Sequence, residues 1–343
     1  MNIIKWNEFL CTLLKCHGFR FSKKRMKEFS LKDISTYRAT FMGIAMIWVV
    51  LYHLKFEFKP LQLLVRYGYT GVDIFMFVSG FGLFFSLLGN PSIPRYMKRR
   101  FLRILPAYLI VGALLSWLWY HDDITTYFIR CTMIGYWLSE EIYFEWFMPS
   151  LCTLYLCFPV AYFKFLKPFK AVWFFGIVIL FEFLSILYIV YPYTDNWHYL
   201  FIYRVPVFLY GVLTALFIDN KNFELLFKKI AIASAIIGLG LFGVGYVTHI
   251  TPLNYYATSW FTPSLIILMC ILAKNYTIIR FWGSKIGLLT LEIYLWHLLV
   301  LRLASSFSFR YEHHDLSTVI LLFLSIILGW MLHSFLNIII RIK

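Results

Sequence analysis

His53 lies in a run of apolar residues, MGIAMIWVVLYHLKFEF, that reads as membrane-spanning. An ionisable group in hydrocarbon costs several kcal/mol unless it faces a polar cavity, so it marks a candidate functional site. With an ordinary pKa near about 6.5, a histidine in a partly dry cavity is mostly neutral and able to take a proton from an attacking hydroxyl. A histidine that only hydrogen-bonds a neighbouring helix has the same sequence pattern, and from His53 alone both interpretations stay open.

A basic cluster opens a later apolar run, in the segment PRYMKRRFLRILP. Arg99 and Arg103 are four residues apart and Arg100 and Arg103 three, so the arginines share one face of a helix. Guanidinium groups bind phosphate oxygens in a bidentate manner, which would suit an anionic cytosolic cofactor. Taken in isolation, the cluster favours a plainer explanation, because topology signals and lipid headgroups account for most such clusters.

Further charged groups lie within or beside apolar runs, namely Asp73, Glu292 and Arg204. Each is costly unpaired, so we expect pairing with one another or with a substrate. His297 follows Glu292 by five residues, which does not place the two on a common helical face. The spacing supports no Ser-His-Asp arrangement.

The composition indicates a polytopic membrane protein. Of 343 residues, 61% are hydrophobic and only 14% charged, and the mean hydropathy is +0.73, well outside the range of soluble domains. The formal charge of +15 is interpreted as topology signal and phosphate contact, and no nucleic acid is expected as a partner. The six cysteines have neither metal-ligand spacing nor the pattern of a disulfide framework, so no metal is expected.

We predict an all-α bundle of about ten transmembrane helices. Basic residues concentrate in alternate connecting segments, which places both termini in the cytoplasm. Residues 1–37 form a basic, interfacial amphipathic segment, with a surface helix over residues 2–16; residues 38–343 form the membrane domain, in which Gly80 and Gly82 allow close helix contact. The predicted spans are 39–58, 68–88, 105–120, 144–163, 171–190, 200–218, 230–249, 259–274, 286–304 and 317–340.

Six segments in order resemble the membrane acyltransferase 3 family of bacterial sugar and polysaccharide O-acyltransferases: GIAMIWVVLYH, GVDIFMFVSGFGL, RRFLRILPAY, WFMPSLCTLYLCFP, YRVPVFLYG and WGSKIGLLTLEIYLWH. The resemblance runs from about residue 38 to residue 300. Two positions depart from the family pattern. Met42 stands where the family usually has an arginine, one turn after Arg38, and Leu151 stands where many members have a glutamate, which we interpret as the mark of a subfamily.

The resemblance implies transfer of an acyl group, usually acetyl, from cytosolic acyl-CoA to a hydroxyl of a cell-surface glycan or its lipid-linked precursor. Such O-acetylation belongs to polysaccharide biosynthesis in the cell envelope, at the bacterial cytoplasmic membrane. Arg100 and Arg103, with Arg99 or Lys98 assisting, would hold the CoA phosphates. His53 would be the general base or, alternatively, carry the acyl group. The resemblance and the charges together nominate the remaining residues: Arg38, Tyr52 and Trp146 as oxyanion donors, Asp73 to orient a histidine or bind sugar hydroxyls, and Trp146, Arg204, Glu292 and His297 around the substrate.

A transporter or flippase of a glycan-related substrate is the alternative from another class. In it, a proton or substrate path would use His53, Asp73, Glu292 and His297. Transporters commonly contain paired repeats with broken helices, and we find no such pair in the sequence.

Overall fold

The computed structural model describes residues 27–54, 56–88, 92–138, 146–161, 171–190, 199–306 and 314–340, and within these ranges every regular element is a helix. The first eight helices are α1 Leu31–His53, α2 Lys59–Val65, α3 Thr70–Leu88, α4 Ile93–Leu115, α5 Ile124–Cys131, α6 Gly135–Leu138, α7 Phe147–Ala161 and α8 Ala171–Val190. The remaining helices are α9 Tyr199–Ile202, α10 Val205–Leu216, α11 Lys221–Thr248, α12 Thr251–Asn275, α13 Thr277–Gly287, α14 Thr290–Ser306 and α15 His314–Ile340.

The chain is a polytopic membrane bundle. Within the described residues, six helical segments are long and apolar enough to cross a membrane. A seventh span is formed if α13 and α14, bent by 73° at their junction, are counted together. Three more apolar helices are shorter: Phe147–Val160, Gly176–Leu187 and Leu200–Leu216. Each of the ten predicted segments therefore coincides with an apolar helix, although not every one has the length of a full span.

Glycines allow close helix contact at two crossings. A Cβ added at Gly80 of α3 would overlap the carbonyl of Phe208 in α10, and one added at Gly43 of α1 would overlap the carbonyl of Gly283 in α13. The predicted role of Gly80 in close helix contact is confirmed. Gly82 has a different neighbour, because a Cβ there would lie 2.6 Å from Nη1 of Arg38.

One end of the bundle is basic and is tied together by ion pairs. Glu224 of α11 accepts hydrogen bonds from the Ser30 hydroxyl and the Leu31 backbone N–H, both at 3.1 Å. Lys274 at the end of α12 lies 2.8 Å from Asp33. The starts of α1 and α11 and the end of α12 therefore meet at this face, which carries basic residues that the topology prediction assigns to the cytoplasm.

The first span begins and ends at other residues than the sequence predicted. Ser30 N–H donates to Asp33 Oδ2 at 2.8 Å, so α1 begins eight residues before the predicted span. The helix ends at His53, with Leu54 in an extended conformation, whereas the predicted span ran to residue 58. His53 therefore terminates a helix. α1 runs through the boundary at residue 37, and the predicted surface helix over residues 2–16 lies outside the described residues.

Candidate active site

Two adjoining cavities open beside the arginine cluster. The first has a volume of about 290 Å³ and is bordered by Arg100, Arg103, Ser79 and Tyr155, together with apolar residues. The second, of about 270 Å³, is bordered by Arg99 and again by Arg100, Arg103 and Tyr155. We call them together the arginine cavity. Its cations and hydroxyls suit the phosphates of an anionic substrate, and its apolar walls suit an uncharged arm.

Arg103 is held by the buried carboxylate of Glu292. Its two terminal nitrogens donate to the two carboxylate oxygens, one of them at 3.0 Å. His333 Nδ1 lies 3.0 Å from the same carboxylate. Glu292 is fully buried while the Arg103 side chain is 33% exposed, so the guanidinium has one edge on Glu292 and part of its surface free. Glu292 thus orients a cation of the cavity.

Arg100 is positioned by hydroxyl and aromatic contacts. It donates to the Ser86 hydroxyl, and its guanidinium carbon lies 5.7 Å from the ring centre of Tyr96 and 5.4 Å from that of Tyr155. Arg38 comes within electrostatic range of Arg100 and Tyr155. Two like charges held close together favour an anion between or beside them. Arg38 therefore lies near Arg100, although it is not among the residues that border the arginine cavity.

Lys98 is separated from the three arginines. It lies on the apolar face of α4, beside Phe101, Leu102 and Leu105. The predicted alternative of Lys98 as a partner of Arg100 and Arg103 therefore has less geometric support than Arg99. One helical face carries the arginines and another carries the lysine.

The two departures from the family pattern line the same cavity. Met42 and Leu151 both border it. Where the family usually has an arginine and many members have a glutamate, this chain has two apolar side chains, so neither position carries an unpaired charge. An ion pair replaced by two apolar side chains is frequently neutral for stability.

Two histidines lie next to the arginine cavity, and one of them contacts an aromatic residue that borders it. The ring centres of His53 and His297 are 5.4 Å apart, and Tyr52 packs against His53 at 5.0 Å. Tyr294, which borders the cavity, lies 5.3 Å from His297. His53 is half-buried and His297 fully buried. The structure therefore brings together two histidines that are far apart in sequence.

Three aromatic rings lie at the border of the arginine cavity, and one of them also contacts a histidine. Phe75, Phe147 and Tyr294 all border the cavity. Phe147 lies 6.0 Å from Phe75 and 5.2 Å from Tyr294 between ring centres. We call these three residues the aromatic wall. Met42 is eleven residues before His53, so a molecule at the level of Met42 has about 16 Å to cover at about 1.5 Å per residue.

Asp73 and Arg204 form a buried ion pair with each other. Arg204 Nε lies 2.9 Å from Asp73 Oδ1, and the two side chains are 1% and 0% exposed. Thr258 donates to the other Asp73 oxygen at 3.0 Å, and the guanidinium lies 4.6 Å from the ring of Trp146. The structure shows the predicted pairing of Asp73 with Arg204. Trp146 packs on the guanidinium group of this pair.

Several residues of the site were not predicted from the sequence. Tyr294 precedes His297 by one helical turn and could have been found from that spacing. Ser86 and Tyr155 were missed because only the fold brings them to Arg100. Glu182 was also missed: it is 2% exposed and accepts from Ser259 at 3.3 Å. No group of three or more metal-ligating residues occurs in the described part of the chain.

The membrane bundle thus holds a cationic cavity, and Tyr294 at its border contacts one of two paired histidines. Residues 43–335 match the acyltransferase domain of the acyltransferase 3 family, so the chain belongs to that family and is an acyltransferase. Comparisons with curated proteins and with solved structures give no match. The predicted family and enzyme class are confirmed, while the acyl donor and the acceptor are not specified by the match.

Proposed function

We propose that this protein is an O-acyltransferase of the bacterial cytoplasmic membrane that moves an acetyl group from cytosolic acetyl-CoA to a hydroxyl of a cell-surface glycan or of its lipid-linked precursor. The observation that carries the proposal is a series of contacts from the arginine cavity to His53. Tyr294 borders the cavity, and His297 packs against both Tyr294 and His53.

Arg99, Arg100 and Arg103 would bind the phosphates of acyl-CoA, because guanidinium groups form paired hydrogen bonds with phosphate oxygens. Arg103 keeps an exposed edge although Glu292 holds it. Arg38, near Arg100, adds a fourth cation. The uncharged arm of the donor would lie along the apolar lining and reach the aromatic wall, where Tyr294 contacts His297.

His53 would act as the general base. The oxygen of the acceptor hydroxyl attacks the thioester carbonyl, the C–O bond forms, the C–S bond breaks and the hydroxyl proton moves to the imidazole. The proton then passes to the departing thiolate, which leaves as the CoA thiol. The carbonyl oxygen needs a hydrogen-bond donor while it carries charge. Of the three candidates, Tyr52 packs on His53, Trp146 covers Arg204, and Arg38 is fifteen residues before His53 on the same helix.

The test measures free CoA thiol released by the purified protein in detergent with acetyl-CoA and a glycan acceptor. His53→Ala is expected to lower release by at least about 100-fold, the contribution of a general base. The exposed His249 at the end of α11 offers a matched control. His249→Asn is expected to keep the parent rate.

Release by His53→Ala at the parent rate would overturn the assigned base. If the parent releases no thiol from acetyl-CoA, succinyl-CoA or a longer acyl-CoA, the donor assignment fails. Movement of a labelled saccharide lipid across reconstituted vesicles, without thiol release, would favour the transporter alternative.

A further inference from the structure

His297 has its proton position fixed by a backbone carbonyl. Its Nδ1 is hydrogen-bonded to the carbonyl oxygen of Tyr294, three residues earlier in α14. A carbonyl oxygen only accepts, so Nδ1 must carry the hydrogen. In the neutral ring, Nε2 then has a bare lone pair. The backbone of α14 thus presents His297 as an acceptor through Nε2.

That acceptor is buried and unsatisfied. His297 is 0% exposed, and Nε2 has no hydrogen-bond partner among the residues that the structure describes. A buried polar atom without a partner costs about 1–3 kcal/mol. Such a cost points to a group that donates to Nε2 at some stage of the reaction cycle.

The ring positioned to donate is His53. An N–H···N hydrogen bond of about 3 Å between two imidazoles in one plane puts their centres a little over about 5 Å apart. The two ring centres are 5.4 Å apart, with the planes inclined by 43°. A rotation of the half-buried His53 ring would bring its N–H onto Nε2 of His297.

Within the described ranges, three buried carboxylates that could otherwise orient a histidine have other partners. Asp73 pairs with Arg204, Glu292 with Arg103, and Glu182 accepts from Ser259. A neutral acceptor therefore occupies the place that an acidic residue takes in a Ser-His-Asp arrangement.

We propose that His297 is a positioning residue for His53. It accepts the N–H of one His53 nitrogen, which leaves the lone pair of the other nitrogen for the proton of the acceptor hydroxyl. As the C–O bond forms and the C–S bond breaks, that proton moves to His53. The resulting imidazolium donates to Nε2 of His297 until the proton passes to the leaving thiolate. This inference rests on the proposed function of His53 as general base.

Variants at His297 test the acceptor role through kinetics. His297→Phe removes the acceptor, and kcat is expected to fall about 100-fold while KM for acetyl-CoA stays within about twofold, because the donor binds elsewhere. In His297→Gln the amide nitrogen can donate to the Tyr294 carbonyl and the amide oxygen can face His53. We expect this variant to retain kcat within about tenfold of the parent. Trp296→Phe, one residue away, is the control and is expected to keep the parent values.

A spectroscopic measurement on the parent needs no active variant. In protein labelled with ¹⁵N-histidine, the His297 signals, assigned by their loss in His297→Gln, are expected to show a protonated Nδ1 and an unprotonated Nε2. A protonated Nε2 would overturn the proposal, and so would equal losses of kcat in His297→Gln and His297→Phe with both folded. If His53→Ala keeps full activity, the proposed base fails instead, and the ¹⁵N result still reports separately on His297.

Discussion

Arg103 donates to both oxygens of Glu292, across 189 positions of sequence. The Glu292 side chain is fully buried, and the Arg103 side chain is one-third exposed. Loss of the arginine would leave a buried carboxylate with its charge uncompensated except by His333. The pair therefore serves the fold as well as the cavity.

We predict that Arg103→Ala destabilises the protein by about 3 kcal/mol, the cost of breaking a buried ion pair from one side. Arg103→Ala combined with Glu292→Gln is expected to recover more than half of that loss, because the remaining amide carries no charge. Thermal unfolding in detergent measures both variants. A double variant no more stable than Arg103→Ala would show that the ion pair does not control stability here.

Substitutions of the α4 arginines should weaken binding of the acyl donor, whereas substitution of Lys98 should not. Arg99→Ala and Arg100→Ala are each expected to raise KM for acetyl-CoA about tenfold, since a charge-assisted hydrogen bond is worth about 1.5–3 kcal/mol. Lys98→Ala is expected to change it by less than about twofold, because Lys98 lies on the apolar face of α4. Steady-state kinetics at two salt concentrations measures this, and an equal effect of Lys98→Ala would contradict the placement of the donor.

Met42 and Leu151 should be coupled through the arginine cavity that both border. Met42→Arg adds a cation beside Arg100 and Arg103 and is expected to cost about 2 kcal/mol of stability, as a partly buried unpaired charge does. Met42→Arg with Leu151→Glu is expected to restore most of the loss. Melting temperatures of the two single variants and the double variant give the coupling energy. Strictly additive changes would mean that the two positions do not interact.

The crossing of α3 and α10 should depend on the absence of a side chain at Gly80. Gly80→Ala puts a methyl group into the carbonyl of Phe208 and is expected to lower stability by about 2 kcal/mol or more, through overpacking. Gly112 in α4 is the control, since a Cβ there meets nothing within 4 Å. Gly112→Ala is expected to be neutral or stabilising by about 1 kcal/mol, because alanine favours helix. A Gly80→Ala variant as stable as Gly112→Ala would refute the contact.

Hydropathy located the apolar helices of the described residues, because burial in lipid demands long runs of apolar residues whatever their partners, but it did not show which of them have the length of a full span. It did not locate the end of α1 at His53, which is decided by capping and by contacts rather than by composition. Local spacing placed Arg99, Arg100 and Arg103 on one face, and the structure agrees. The choice of Glu292 as the partner of Arg103, and of Arg204 for Asp73, depends on which helices become neighbours. No local pattern encodes that.

The aromatic wall has a consequence for the bilayer in which the protein sits. Phe147 packs against Phe75 and Tyr294 at the border of the arginine cavity, and Tyr294 in turn contacts His297. Apolar constrictions of this kind exclude water and ions. Without a bound substrate, the protein should therefore leave the proton gradient across its membrane intact, even though it holds both arginines and histidines within the bundle.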